Sequence, residues 1–366
     1  MKGRLLIAFL SVFVMVLALG LAGCSKDEEP TNPADNNSDI PADPGGTAPA
    51  TTLNNVTPSA TFGKTAGNER RIRVNLLGVL DPATGQPISF TANQNLFVSE
   101  DNVLKGMRVS AAGTSGSLLA DVVFTVDNSG SMGQEADSVA VKIIAFVDFL
   151  QSRGLDLRVG VVGYNGEVSG AVNLTTAPVL SAYLTRTGRT GTNRTVGFSG
   201  ADSARFQTIA NNFANGVGGE NGIVGIWFAD SLFAWRGTAQ RVYVNFTDEP
   251  TQPSNLVYWS TEGLCARWSP VKGTIHTVYS ADTTGTWTRL TRERPWALSQ
   301  CAGGTSKFIP SNAAGLDLTT LPVTGALAAS SLVEFLTSDP NRAHNLVITV
   351  KTATADGKTT FNNITY

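Results

Sequence analysis

The pentapeptide Asp127-Asn128-Ser129-Gly130-Ser131 sets one carboxylate and two hydroxyls at alternate positions. The run Val122-Val123-Phe124-Thr125-Val126 just before it has the near-continuous apolar character of a parallel strand buried on both faces. A loop leaving such a strand can bring the three oxygens to one point. Hard donors gathered there suit a hard divalent cation, Mg²⁺ first and Mn²⁺ or Ca²⁺ after it. Open α/β sheets also bind ligands beyond the carboxyl ends of their strands. A second acidic strand end follows at Thr247-Asp248, after Val242-Tyr243-Val244-Asn245-Phe246. The alternative is a polar turn capped by its own Asp and Ser.

Other chemistry has little support. The chain holds two histidines, His276 and His344. The first falls in an expected buried strand and the second in a turn before a strand. There is no H-E-x-x-H, G-x-S-x-G or P-loop pattern, and Ser129 has no evident base. The expectation is a protein that is not an enzyme. With 27 basic against 29 acidic side chains, nothing favours nucleic acid as a partner. A hydrophobic share of 42% is enough for a folded core.

The elements that would carry the candidate site follow from periodicity. Residues 67–118 read as β-rich, with Arg71-Ile72-Arg73-Val74-Asn75-Leu76 alternating polar and apolar. From residue 121, strands alternate with helices. Helices are expected at 136–152, 202–215, 223–235, 292–301 and 327–336. Strands are expected at 157–164, 241–246, 274–279 and 307–309, and 165–200 reads as an edge strand with long loops. Residues 345–350 and 359–366 flank Ala355-Asp356-Gly357-Lys358, a hairpin signal. The expected class is α/β: a doubly wound, mostly parallel sheet with a small accompanying β-sandwich-like domain built from the flanking segments. The expected division is 1–23, 24–66, 67–118, 119–337 and 338–366. Two separate β caps remain the alternative to a shared sandwich.

The strand-end Asp127-x-Ser129-x-Ser131, the later Asp248, and Cys301-Ala302-Gly303-Gly304 before the last parallel strand resemble the von Willebrand factor type A (VWA) domain. The resemblance covers residues 119–335. It implies a metal-ion-dependent adhesion site with Asp127, Ser129 and Ser131 in its first loop and Asp248 in its third. Many members place a Thr in the second loop. Here Gly218-Gly219-Glu220-Asn221-Gly222 is similar to the integrin β-subunit version, in which a Glu serves, and Trp235-Arg236 followed by Arg241-Val242-Tyr243-Val244 adds to that likeness. Glu220 is therefore the expected second-loop ligand, with Thr190 or Thr192 as the runner-up. A helix N-terminal acid offsetting the macrodipole is the other reading of Glu220. The family's mode of recognition implies an open metal position that takes a carboxylate from a protein, peptide or glycan partner.

Lys2 and Arg4, an apolar run over 5–20 and Leu21-Ala22-Gly23-Cys24 resemble a bacterial lipoprotein signal. That resemblance implies cleavage before Cys24, a lipid on its thiol, and residence at the bacterial cell envelope, the outer membrane if the host is Gram-negative. A plain transmembrane anchor is the alternative. Residues 24–66 begin as an acidic, apolar-poor segment expected to be a disordered tether. With Cys24 lipidated, Cys265 and Cys301 are left as a pair: a disulfide in an oxidising compartment, or two reduced thiols. The segment 249–255 should border the metal. Trp259, Trp268, Trp287 and Trp296 follow it, either as core or as an exposed recognition surface. The functional expectation is a membrane-anchored, metal-dependent binding protein. A structural or assembly module of an envelope complex is the alternative.

Overall fold

The structure, a computed structural model, describes residues 37–111, 118–185, 198–201, 204–213 and 217–366. Cys24, the signal-like segment, Thr190 and Thr192 lie outside the described residues. The chain first forms β1 (Ala60–Thr65), β2 (Asn68–Leu76), β3 (Leu96–Glu100), β4 (Val103–Leu104) and β5 (Met107–Ala111). Then come β6 (Leu118–Asp127), α1 (Gly133–Ser152), β7 (Leu155–Asn165), β8 (Glu167–Thr175), α2 (Ala177–Leu184), β9 (Gly200–Ala201), α3 (Ala204–Ala210), α4 (Gly222–Leu232) and β10 (Gln240–Thr247). The remainder is α5 (Thr261–Arg267), β11 (Thr274–Tyr279), α6 (Ala297–Cys301), β12 (Ser306–Phe308), α7 (Pro322–Ala328), β13 (Ser331–Leu336), β14 (His344–Lys351) and β15 (Asp356–Ile364).

A seven-stranded sheet runs in the order β12-β11-β10-β6-β7-β8-β9. Its pairings are parallel except β7 with β8. Strand β6 lies at the centre, and alternate residues face two different cores. Val122, Phe124 and Val126 pack with Val139, Ile143, Phe146 and Leu150 of α1. Val123 faces Ile223, Val224 and Phe228 of α4 on the other side. Burial on both faces explains why β6 reads as a continuous apolar run rather than an alternation. Helix α4 is apolar nearly all round because eight of its residues are buried.

Two antiparallel four-stranded sheets complete the fold, β1-β2-β13-β5 and β15-β14-β3-β4. They share a core of Ile72, Val74, Leu96, Val98, Val333, Phe335, Leu346, Ile348 and Phe361. Each sheet joins the two flanks of the chain. Val74 of β2 pairs with Val333 of β13, and Val98 of β3 with Ile348 of β14. The expected class needs correcting here. A doubly wound, mostly parallel α/β protein with a small accessory does not describe a chain in which eight of the fifteen described strands belong to two antiparallel sheets. The fold is mixed and β-rich. Part of the misreading is residues 327–336, expected as a helix: Ser331–Leu336 is strand β13, at the middle of an antiparallel sheet.

The segment expected as a tether is held from residue 37 onward. Arg71 donates through two nitrogens to Asp39 at 2.8 and 2.9 Å. Lys105 Nζ reaches Asp43 at 2.7 Å, and the Gly106 N–H donates to the same carboxylate at 2.9 Å. Asp356, on the far flank, accepts the backbone N–H groups of Thr52, Leu53 and Asn54 at 2.7–2.9 Å. No helix among the described residues is long and apolar enough to cross a membrane.

Cys265 on α5 and Cys301 on α6 form a disulfide with Cα atoms 5.6 Å apart. It closes a loop of 36 residues. Replacing either cysteine with serine should cost about 3–4 kcal/mol by the chain-entropy account, measured as a fall in the urea midpoint.

Both histidines are buried and hydrogen-bonded. His344 faces Asp101 at 2.8 Å through Nδ1 and the Asp339 carbonyl at 2.6 Å through Nε2. His276 Nδ1 accepts the Thr305 N–H at 3.0 Å, so Nε2 carries the proton and donates to Thr274 Oγ1 at 3.0 Å. Burial pushes the His276 pKa from 6.5 down to about 3. Above pH 6.5 the ring is neutral in both folded and unfolded chains. Below it the unfolded chain takes up the proton first, so stability is lost as pH falls from about 6.5 towards 3. A His276→Asn variant should show a shallower decline in urea midpoint between pH 7 and pH 5 than the parent chain. Equal slopes would remove His276 as the cause.

Candidate functional site

Strands β6 and β10 lie side by side, with Phe246 in register with Val126, so their carboxyl ends deliver Asp127 and Asp248 to neighbouring positions. Asp127 is fully buried. One of its oxygens accepts the Ser129 N–H at 3.0 Å and the other accepts Thr247 Oγ1 at 2.8 Å. The first bond bends the loop back over the strand end, and the second ties it to β10. Asn128 points elsewhere: its Nδ2 donates to Ser169 at 3.1 Å and Ser199 at 2.8 Å.

Three oxygens then form a chain. Ser129 Oγ is 2.9 Å from Ser131 Oγ, and Ser131 Oγ donates to Asp248 Oδ1 at 3.1 Å. Ligands on adjacent corners of a Mg²⁺ octahedron, each about 2.0–2.1 Å from the ion, stand about 2.9–3.0 Å apart. The separations here are hydrogen-bond lengths of similar size, and the oxygen-only donor set suits a hard cation, so Ser129, Ser131 and Asp248 are the residues that would hold one. Asp127, with both oxygens engaged, suits a role through water or as the anchor of the loop.

Glu220 is placed less directly. Its Oε2 accepts Gln252 Nε2 at 3.0 Å, and its carbonyl accepts the Gln252 N–H at 3.0 Å. Gly219 makes room for this pairing, since a Cβ there would stand 2.2 Å from Gln252 Oε1. The expected ligands thus divide. The structure gathers Asp127, Ser129, Ser131 and Asp248 in one hydrogen-bonded chain and leaves Glu220 on the rim. Among the described residues, no group of three or more His, Cys, Asp or Glu side chains converges as a metal cluster. The Ser129 and Ser131 hydroxyls are the further oxygens beside Asp248.

The electrostatics follow from crowding acids at a buried strand end. Burial pushes Asp127 up to about 7 against the hydrogen bonds from Ser129 and Thr247, and the charge of Asp248 adds to the rise. Asp248 is raised by burial, opposed by its bond from Ser131, with the charge of Glu220 adding to the rise. Glu249 is raised by burial and then by Asp248 and Glu220. A bound cation would reverse this tendency by favouring the ionised forms.

Several contributing residues were not singled out from the sequence. Thr247 orients Asp127, and Gln252 holds Glu220. Beneath them, Asn245 Oδ1 accepts Thr125 Oγ1 at 2.9 Å and Tyr164 OH at 3.0 Å. The available signal was polarity: Thr125 and Asn245 interrupt two otherwise apolar strands, and buried polar groups need partners.

No protein-family profile and no curated protein matches the chain. Among solved structures, it is similar to proximal thread matrix protein 1 from the mussel byssus at 12% identity and a TM-score of 0.36, covering 62% of this chain and 49% of that one. It is also similar to the pilus adhesin SpaC from Lactobacillus rhamnosus GG in its open conformation, at 10% identity and a TM-score of 0.37, covering 83% of this chain and 46% of that one. The chain thus spans about half the length of each of these two structures.

Proposed function

We propose that this chain is a divalent-metal-dependent binding module, with a site of the kind that VWA domains use for adhesion. It would be carried on the bacterial envelope by lipid at Cys24. The reading rests on one observation: the strand-end loop brings the Ser129 and Ser131 hydroxyls and the Asp248 carboxylate into one hydrogen-bonded group, an all-oxygen donor set that suits Mg²⁺. When bound, the ion supplies a Lewis-acidic position that an oxygen of the partner completes. The chain's own residues do the rest. Asp127 fixes the loop, Thr247 fixes Asp127, and Gln252 keeps Glu220 on the rim, where its charge modulates the site. The partner would present a carboxylate, and no side chain here is assigned to bond breaking.

A second reading is favoured by the buried acids. Because burial raises Asp127 and Asp248, a cation that relieves them could serve stability alone, in an assembly role. Two measurements separate the readings. Millimolar Mg²⁺ or Mn²⁺ should raise the melting temperature by several degrees, and Asp248→Ala should weaken metal binding by about 10–100-fold. Capture of a partner from envelope extracts should then vanish with EDTA and with Asp248→Ala. Capture that survives both, with the melting shift intact, would leave only the stabilising role. Because Gln252 holds Glu220, Glu220→Gln should change metal affinity by less than about tenfold, well below the effect of Asp248→Ala. An equal loss in both variants would make Glu220 a direct ligand.

A further inference from the structure

The four tryptophans between Asp248 and Cys301 part company in the structure. Trp259 and Trp268 pack against the core under α4. Trp287 and Trp296 join none of the three hydrophobic cores. They form a separate aromatic group instead, half-buried, with ring centres 5.0 Å apart. Trp296 also meets Phe308 at 5.2 Å and Tyr279 at 5.1 Å. Tyr279 is buried beneath, while Phe308 is 48% exposed. Single exposed aromatics are ordinary, but a contiguous aromatic surface marks a place of interaction.

This surface is built into the rim of the candidate metal site. Tyr279 is in register with Thr247, the residue before Asp248, and parallel neighbours lie about 4.8 Å apart. The rim segment 249–255 is hydrogen-bonded to the Trp287 loop. Thr251 and Glu293 exchange backbone bonds at 2.9 and 2.8 Å, and Asn255 N–H donates to the Leu290 carbonyl at 2.9 Å. The burial-raised Tyr279 hydroxyl also feels the charges of Glu249 and Asp248.

The surroundings select the kind of partner. Residues 281–294 contain five threonines and three arginines but only one leucine. All eight of those threonines and arginines are exposed. Protein-binding hot spots set their aromatics in desolvated apolar pockets. Exposed hydroxyls around half-buried aromatic rings fit a polyhydroxylated partner better, and the three arginines of the segment stand against Asp282 and Glu293. The C–H faces of sugar rings carry slight positive charge and lie against the negative face of an aromatic ring. Arg289 is engaged by Glu262 at 2.6 and 2.9 Å, leaving the exposed Arg292 and Arg294, and the charge of Arg292 acts on Glu249 and Tyr279, on the metal side.

We infer that Trp287, Trp296 and Phe308 form a sugar-stacking platform, and that the partner is an acidic glycan whose uronate-type carboxylate completes the metal site while its next rings lie on the platform. This rests on the proposed metal-dependent reading and names the partner class for it. The test uses the full mature chain in Mg²⁺ with polygalacturonate, its methyl ester and poly-L-glutamate as probes, read by calorimetry. Polygalacturonate should bind and its ester should bind at least about tenfold more weakly. Trp287→Ala and Phe308→Ser should each weaken polygalacturonate binding about tenfold. Mn²⁺ affinity, read by electron paramagnetic resonance, should stay unchanged in both variants. Because Phe308 is exposed, its replacement keeps the test valid should Trp287→Ala fold poorly. Poly-L-glutamate bound as tightly and with the same sensitivity to Trp287 would overturn the glycan assignment in favour of an acidic protein. No binding of polygalacturonate, or binding indifferent to both substitutions, would overturn the platform. If Trp287→Ala abolishes binding while EDTA and Asp248→Ala do not, the platform stands and the metal reading fails. If EDTA and Asp248→Ala abolish binding while both aromatic variants bind normally, the platform fails and the metal reading stands.

Discussion

Burying the Asp127 carboxylate at the end of β6 is the constraint from which the rest of the site follows. A buried carboxylate is costly unless hydrogen bonds compensate it. Here the Ser129 N–H and the Thr247 hydroxyl do so, one from its own loop and one from the neighbouring strand. Those two bonds leave the loop little freedom. The same loop carries Ser129 and Ser131, whose hydroxyls continue as a hydrogen-bonded chain to Asp248. The compensation is incomplete, because Asp127 is still pushed up to about 7 by its burial.

The antiparallel sheets constrain the same site from a distance in sequence. Strand β5 leads into β6 through residues outside the described set, and two residues separate the end of α7 from the start of β13. Both ends of the seven-stranded region therefore feed the pair of sheets with the shared core. Because β2 pairs with β13 and β3 with β14, the two flanks of the chain are joined in each sheet. The segment from residue 37 is tied to those sheets by Asp39, Asp43 and Asp356. A pull applied through the amino-terminal segment would load these ion pairs and backbone bonds before it reached β6.

Legibility in the sequence followed the physics of each part. The strand ends carrying Asp127 and Asp248 could be read because a doubly buried parallel strand has a distinctive apolar run. The class was misjudged for a related reason. Leu332, Val333 and Phe335 of β13 are all buried, so two-sided burial erased the alternation that marks a strand and left a run resembling an apolar helix. The anchored stretch after residue 37 was read as tether because its composition offers little apolar area. Specific carboxylate bonds hold it instead, and composition does not encode them. Glu220 was placed near the site by the resemblance alone, and its pairing with Gln252 joins segments 32 residues apart and leaves no local trace.

The rim shows why charge alone would not define a partner. Asp127, Asp248, Glu220 and Glu249 crowd one end of the sheet, and a single divalent ion cannot neutralise four ionised acids. An anionic ligand would then meet a field that is weak or repulsive unless other groups offset it. Two features act in that direction. The pairing with Gln252 keeps Glu220 outside the chain of hydrogen-bonded oxygens, and Arg292 bears on Glu249 from the aromatic side. On the proposed reading, selectivity would come from where a bound cation and the aromatic rings coincide, and the three backbone hydrogen bonds between the rim segment and the Trp287 loop hold those two features together.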